Sequence, residues 1–169
     1  NSMIDNFGQG LNTAIYATEK FYCIKTTSGY RLLVSDNLVA PIYFTKQVAD
    51  AEFGHAIRHA LSLSRLVDPK DPDFFNHDQI EKRYKLWIAE AMDMWGYKNR
   101  KALFTKMHTC TVKLLNNEIK IMPWSHEKLE AWGSQGMKEE DNIILPSSVS
   151  DEMFGSAVKK AFLRCRNYV

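Results

Sequence analysis

Cysteine is scarce in this chain: Cys23, Cys110 and Cys165 are an odd number, far apart in sequence, and none forms a C-x-x-C pair. That argues against a disulfide-built scaffold and against a zinc ribbon, and leaves reduced thiols in the cytoplasm as the simplest reading. No apolar run approaches the roughly 20 residues a spanning helix needs, so no membrane association is expected. The opening NSMIDNFGQG has neither a basic start nor an apolar stretch and does not read as a secretory signal. Asn1 and Ser2 ahead of Met3 read as an expression remnant, leaving one domain over 3–169. The catalytic signatures are missing as well. There is no G-x-S-x-G, no G-x-G-x-x-G and no phosphate loop, and no cysteine sits in a context that would lower its pKa. A net charge of +2 does not by itself announce a nucleic-acid binder.

What the chain does contain is patterned. Thr13–Thr18 and the two halves of Phe21–Ser35 are rich in β-formers, and Thr27-Ser28-Gly29 offers a hairpin turn. Asn37–Phe44 is apolar and short, and Pro41 confines it to an edge. A first helix follows, with Asp50 as its expected N-cap and Phe53, Ala56, Ile57, Ala60, Leu61 and Ser64 on one face. Asp68–Asp73 ends it in a turn. The second helix starts at Asn76, carries a stripe of Ile80, Tyr84, Trp87, Ile88, Ala91 and Trp95, and stops at Gly96. Cys110–Pro123 reads as a hairpin around Asn116-Asn117, with Ile119 and Ile121 facing inward. Ser125–Asp141 reads as a polar segment with one short helical turn at most. Asn142–Pro146 is a last strand, and Asp151–Arg166 the last helix. The expected fold is therefore α+β: a central, mostly antiparallel sheet of about five or six strands flanked by three main helices.

One stretch occurs twice. DAEFGHAIRHAL at Asp50–Leu61 returns as DEMFGSAVKKAF at Asp151–Phe162, each behind a Pro-ended apolar run, DNLVAP and DNIILP. Glycine inside a helix costs about 1 kcal/mol relative to alanine. Its presence at Gly54 and Gly155, at one register, predicts a close approach of each helix to the sheet and two related half-units.

Few residues suggest chemistry. His55 and His59 have helical spacing, yet they flank the buried stripe and nothing completes a metal site, so solvated histidines are the better reading and neither metal nor cofactor is expected. Tyr97–Lys113 carries Lys98, Arg100, Lys101, Lys106 and Lys113 without an acid. With Tyr97, Phe104 and the nearby Trp95, this basic stretch could grip single-stranded nucleic acid. The competing reading, aromatic core plus solvating lysines, is preferred. Glu127–Asp141 is net acidic and carries Trp132 and Met137. Glu127, Glu130, Trp132, Glu139, Glu140 and Asp141 are the expected contact residues for a protein partner, with charge setting association and the aromatic ring anchoring.

Three stretches carry a resemblance: Gly96-Tyr97-Lys98 after the second helix, the Ile-x-Ile-x-Pro strand at Ile119–Pro123, and Gly155–Val158 in the last helix. Together they resemble the CdiI immunity proteins of contact-dependent growth inhibition systems, from about Tyr16 to Arg164. The resemblance implies a cytoplasmic, non-enzymatic bacterial protein. Its partner would be the C-terminal toxin domain of a cognate CdiA-type effector, often a nuclease. In some members of such families the toxin adds a β-hairpin to the immunity protein's sheet, and the Pro-limited edges here are compatible with that mode. Inhibitors of nucleases are often distinctly acidic, which this chain is not, so any acidic contact would be local to Glu127–Asp141.

Overall fold

Two short runs of β-formers, each closing into a hairpin, build the centre of the molecule. The computed structural model describes residues 8–169, so Asn1 and Ser2 lie outside the described residues. In chain order the elements are β1 (Leu11–Ala17), β2 (Phe21–Tyr30), β3 (Leu32–Ser35), β4 (Ile42–Thr45), α1 (Asp50–Ser62), α2 (His77–Trp95) and α3 (Arg100–Phe104). There follow β5 (His108–Leu115), β6 (Glu118–Pro123), β7 (Ser125–Lys128), β8 (Ala131–Gly133), β9 (Ile143–Pro146), α4 (Asp151–Leu163) and β10 (Arg166–Asn167). The main sheet has seven strands, in the order β3-β2-β1-β5-β6-β9, with β4 also on β2, and every pairing is antiparallel. β10, β7 and β8 form a small second sheet. The α+β reading, with three long helices around a mainly antiparallel sheet, describes this architecture.

The turns follow from residue chemistry. Asn116 and Asn117, at φ 52° and 63°, close the β5–β6 hairpin in the left-handed region that asparagine tolerates. Gly96, at φ 72°, ends α2 and returns its N–H to the Met92 carbonyl. Asn76 caps the start of the same helix by accepting from the Gln79 N–H at 3.1 Å. Other expectations need correction. Thr27-Ser28-Gly29 is not a turn but the continuous second half of β2; the reversal falls on Arg31, at φ 68°. Asp50 does not cap α1. Its N-cap is Ala49, which has no side-chain acceptor, whereas α4 is capped by Ser150, which accepts from the Met153 N–H at 3.1 Å. α3 was not expected at all.

The aspartates are used elsewhere, and their use shows what the repeat encodes. Lys159 pairs with Asp50 at 2.7 Å, and Arg58 pairs with Asp151 at 2.7 Å. Arg58 and Lys159 occupy the same register of the two copies. The correspondence extends to the strands. An offset of 101 carries β4 and α1 onto β9 and α4, and an offset of 97 carries β1 and β2 onto β5 and β6. Ile15 faces Ile24 as Val112 faces Ile121, and Ile24 faces Ile42 as Ile121 faces Ile143. The two halves meet antiparallel at β1–β5, with Ala14 opposite Thr111 at the pseudo-two-fold axis.

The glycines mark a close approach, but of helix to helix rather than helix to sheet. A Cβ on Gly54 would lie 2.8 Å from the Asp151 carbonyl carbon and 2.9 Å from the Gly155 nitrogen. A Cβ on Gly155 would lie 2.8 Å from the Asp50 carbonyl carbon and 3.0 Å from the Gly54 nitrogen. Only glycine permits backbones to meet like this, and the contact is reciprocal. Below the crossing lies one core, with Ile15, Ile24, Phe53, Ile57 and Leu61 from the first half and Val112, Ile119, Ile121, Phe154 and Val158 from the second. The opposite sheet face carries a second core of rings and long side chains, in which α2 and α3 set Trp87, Ile88, Leu103 and Phe104 on Phe21 and Cys23.

Candidate functional site

Of the six expected contact residues, three are held inside the small sheet and its seam with α2. Glu130 accepts two hydrogen bonds from Arg100, at 2.6 and 2.7 Å, and one from the Tyr84 hydroxyl at 3.0 Å. The Arg100 guanidinium, foremost, holds the Glu130 carboxyl below its ordinary range. Trp132 stacks on His126 with centroids 5.0 Å apart, packs against Tyr16 and Phe104, and donates its indole N–H to the Met107 carbonyl at 3.0 Å. Glu127 accepts from the Gln135 N–H at 2.9 Å. The region read as a polar segment is thus a hairpin, β7–β8, built around the fully buried Ser125 and His126.

Glu139, Glu140 and Asp141 stand apart from that group, in a single 3-10 turn ahead of β9. Glu139 pairs with Lys120 at 3.0 Å, which lowers its carboxyl pKa. Asp141 accepts from the Lys138 N–H at 2.8 Å. Glu140 projects into solvent.

The basic stretch divides in the same way. Phe104 is fully buried, and Tyr97 is buried with its hydroxyl donating to Glu19 or Thr18, while Arg100 is engaged by Glu130. Lys98, Lys101 and Lys106 are exposed, but no exposed ring lies among them for a base to stack on. His55 is exposed and sits 3.5 Å from the Asp151 carboxylate. Among the described residues no group of three metal-ligating side chains occurs. Cys110 and Cys165, distant in sequence, are neighbours in space with sulfurs 3.8 Å apart. Burial pushes the Cys110 thiol well up.

What the fold leaves open is its sheet edges. At one end, β3 and β4 form a single edge strand on β2, broken by the loop Asp36–Pro41. Leu32 and Leu38 are 61% and 75% exposed on this edge, and no strand among the described residues pairs with its outer side. Natural edges are usually protected by charge, by proline or by a cover, so an apolar open edge marks a place for a partner. Beside it lies a groove of about 500 Å³ between the broken edge and α2. Val34, Leu38, Val39, Ile80 and Leu86 wall it, and Lys25 lies on its floor. The loop is anchored by Asp36, which is buried and accepts from Arg65 at 2.8 Å and from the Ser28 hydroxyl at 2.7 Å. Burial alone would raise the Asp36 carboxyl, but the hydrogen bonds from Arg65, the Leu38 N–H and Ser28 outweigh it and hold the group ionised, below its ordinary pKa. At the other end of the sheet, β9 is open as well. A second groove of about 560 Å³ runs between β9 and α4, bordered by Met153, Lys160 and Arg164. The two ends are five strand spacings apart, about 24 Å. Neither groove is legible in the sequence, because each depends on how a helix lies across a strand distant in the chain.

Open strand edges beside apolar grooves are surfaces that a partner can occupy. Comparison with known proteins gives the class: the chain matches the CdiI family, described as CDI immunity protein, over residues 11–165, and it belongs to that family. It is 34% identical over 159 residues to the immunity protein CdiI-YPIII of Yersinia pseudotuberculosis, covering 86% of this chain and 90% of that protein. A Neisseria meningitidis protein of unknown function shares the fold with a TM-score of 0.88 and 34% identity, covering 97% of this chain and 100% of that one. A chain of a Yersinia pseudotuberculosis CdiA-CT/CdiI toxin and immunity complex matches with a TM-score of 0.86 and 31% identity, covering 92% of this chain and 97% of that one.

Proposed function

We propose that this chain binds and neutralises the C-terminal toxin domain of a cognate contact-dependent growth inhibition effector, acting by occupancy rather than catalysis and working in the cytoplasm. Family membership supports the toxin-neutralising role, as does the likeness to a relative found in a toxin–immunity complex. The observation that carries the contact surface is the unprotected apolar edge at β3, next to the groove under α2. A strand of the toxin would complete the edge through main-chain hydrogen bonds and place alternate side chains in the groove. On this reading Leu38→Asp weakens toxin binding at least tenfold without lowering the melting temperature, since Leu38 is exposed.

A second reading rests on the acidic turn. Glu139, Glu140 and Asp141 sit beside the other open edge, and Glu127, Glu130 and Trp132 would stiffen the hairpin behind that face. A nuclease toxin is basic where it holds phosphates, and carboxylates would meet it there. Reversing Glu139, Glu140 and Asp141 to lysine then slows association and weakens protection of cells expressing the toxin. Calorimetry and a growth-protection assay on both variant sets separate the readings: loss on Leu38→Asp alone selects the β3 edge, and loss on the triple reversal alone selects the acidic turn.

A further inference from the structure

The groove under α2 has an uncommon floor. Lys25 lies on β2 at the point where the edge strand is interrupted: β4 covers Phe21–Ile24 and β3 covers Thr27–Tyr30. Between them runs the loop Asp36–Pro41, which lines the groove together with Lys25. The Lys25 ammonium rests 3.6 Å from the Trp87 ring centroid and 5.7 Å from that of Tyr16, and no carboxylate among the described residues lies within ion-pair distance of it. The ring faces compensate part of the charge. Glu90 on α2 attracts this ammonium from beyond ion-pair distance. A half-buried, partly desolvated ammonium held without a direct partner in an apolar groove is unfavourable, a cost that a partner bringing a carboxylate into contact recovers.

We propose that Lys25 is a specificity-determining residue of this groove, receiving a carboxylate side chain of the toxin that enters on an extended, otherwise apolar segment. The inference rests on the β3-edge reading above. The groove's shape favours a carboxylate on a peptide over a free anion or a phosphate: one ammonium at the floor matches one carboxylate, and the Leu38, Val39, Ile80 and Leu86 walls suit the apolar neighbours of an acidic residue. It also separates two roles, with main-chain pairing at β3 giving affinity that tolerates many sequences and the buried ion pair selecting the cognate one.

The pH dependence gives a signature that packing alone would not produce. Burial pulls the Lys25 ammonium down to about 8, so it loses its charge as pH rises through that value, and binding that depends on the charge is present below it and lost above. The charged and titratable groups sharing this space are Arg83, Tyr84 and Glu90 on α2, Asp36 in the loop, Tyr16 on β1 and Cys23 on β2. Burial pushes the Cys23 thiol up to about 11 and the Tyr16 phenol up to about 12.

The test is calorimetric titration of the toxin domain of the effector encoded with this chain into wild type, Lys25→Arg and Lys25→Met, at pH 7 and pH 9, with thermal melts as the folding control. Wild type is expected to lose about tenfold in affinity between the two pH values. Lys25→Arg keeps the pH 7 affinity and loses that part of the slope, because guanidinium does not deprotonate in this range. Lys25→Met binds at least tenfold more weakly at pH 7 and shows no such slope. Groups on the toxin contribute equally to all three, so the difference between variants is the readout. If Lys25→Met matches wild type at both pH values while Leu38→Asp abolishes binding, the groove is the contact and the carboxylate inference is overturned. If neither variant changes affinity, the β3-edge reading itself falls, and this inference with it.

Discussion

The two faces of the main sheet are built on opposite plans. One is covered by α1 and α4, two copies of a single unit, which cross at Gly54 and Gly155 and leave no free space between them. The other is covered by segments that lie outside the repeat: α2 and α3, inserted between the halves, and the β7–β8 hairpin. There the core is made of packed rings, many of them tilted or edge-on, with Tyr16 on Trp87 at 5.2 Å and Trp87 near Phe104 at 6.4 Å, and the groove walled by Val34, Leu38, Val39, Ile80 and Leu86 opens at its border. The symmetric face is tight at its centre, where each half supplies the shape its twin needs, and opens at its β9 border. The asymmetric face has no twin to fill it, and the proposed recognition surface lies where the pseudo-symmetry fails.

The sharpest way to break this contrast is at the crossing. Gly54→Leu or Gly155→Leu forces two backbones apart and is expected to cost more than about 3 kcal/mol in urea denaturation, above the usual range for overpacking because backbone rather than side chain must move. The double variant should cost little more than either single one, since both substitutions act on one contact and the helices part once. Additive losses would mean that the glycines serve separate sites, and the reciprocal crossing would be the wrong description.

On the asymmetric face, Trp132→Ala is expected to cost about 3 kcal/mol, the low end for truncating a large aromatic, because Trp132 is only half-buried. The measurement is the denaturant midpoint together with toxin affinity below the transition. A shifted midpoint with unchanged affinity makes the ring a wedge between β8, Tyr16 and Phe104. An unchanged midpoint with weakened binding makes it the exposed anchor that an aromatic residue in an acidic segment suggests.

The repeated face was readable because its information is local and doubled. Phe53, Ile57 and Leu61 announce a buried stripe at helical spacing, and Phe154, Val158 and Phe162 announce it again. Asn116-Asn117 and Gly96 mark their turns by the backbone conformations they favour. Where local chemistry was ambiguous, tertiary context decided. β7 contains Ser125, His126 and Glu127, a polar string that became a strand because the Ser125 hydroxyl bonds the Gln135 carbonyl and the His126 ring lies on Trp132. The β2–β3 reversal falls on an arginine, which no turn preference would select. The expected contact residues fared unevenly for the same reason. Composition shows that Glu130 is acidic, but only the fold shows Arg100 and Tyr84 closing around it, and a lysine in a strand has no special environment until α2 lays Trp87 over Lys25.

The smallest expected effect tests how far the symmetry reaches into energetics. Asp50 and Asp151 occupy equivalent positions, and their side chains are 37% and 35% exposed. Ion pairs this wet contribute about 0.2–1 kcal/mol, so Asp50→Asn and Asp151→Asn should each lower stability by no more than that, and less in high salt. They should not be equal. Arg58 binds Asp151 and also donates to the Ser147 and Val149 carbonyls, so its guanidinium is already fixed before the carboxylate is counted. Lys159 offers Asp50 a compact ammonium on a flexible stem, held by one further acceptor, the Val48 carbonyl, rather than two, and loses more rotamer freedom for each bond it makes. Asp151→Asn is therefore expected to be the costlier change, by a few tenths of a kcal/mol, resolvable in paired urea melts. Equal costs would place the two pairs in the same energetic class and leave the Arg58 carbonyl contacts without consequence. If neither substitution had any effect, the paired charges would be by-products of the repeat, and the crossing would be held by the backbone contact at Gly54 and Gly155 alone.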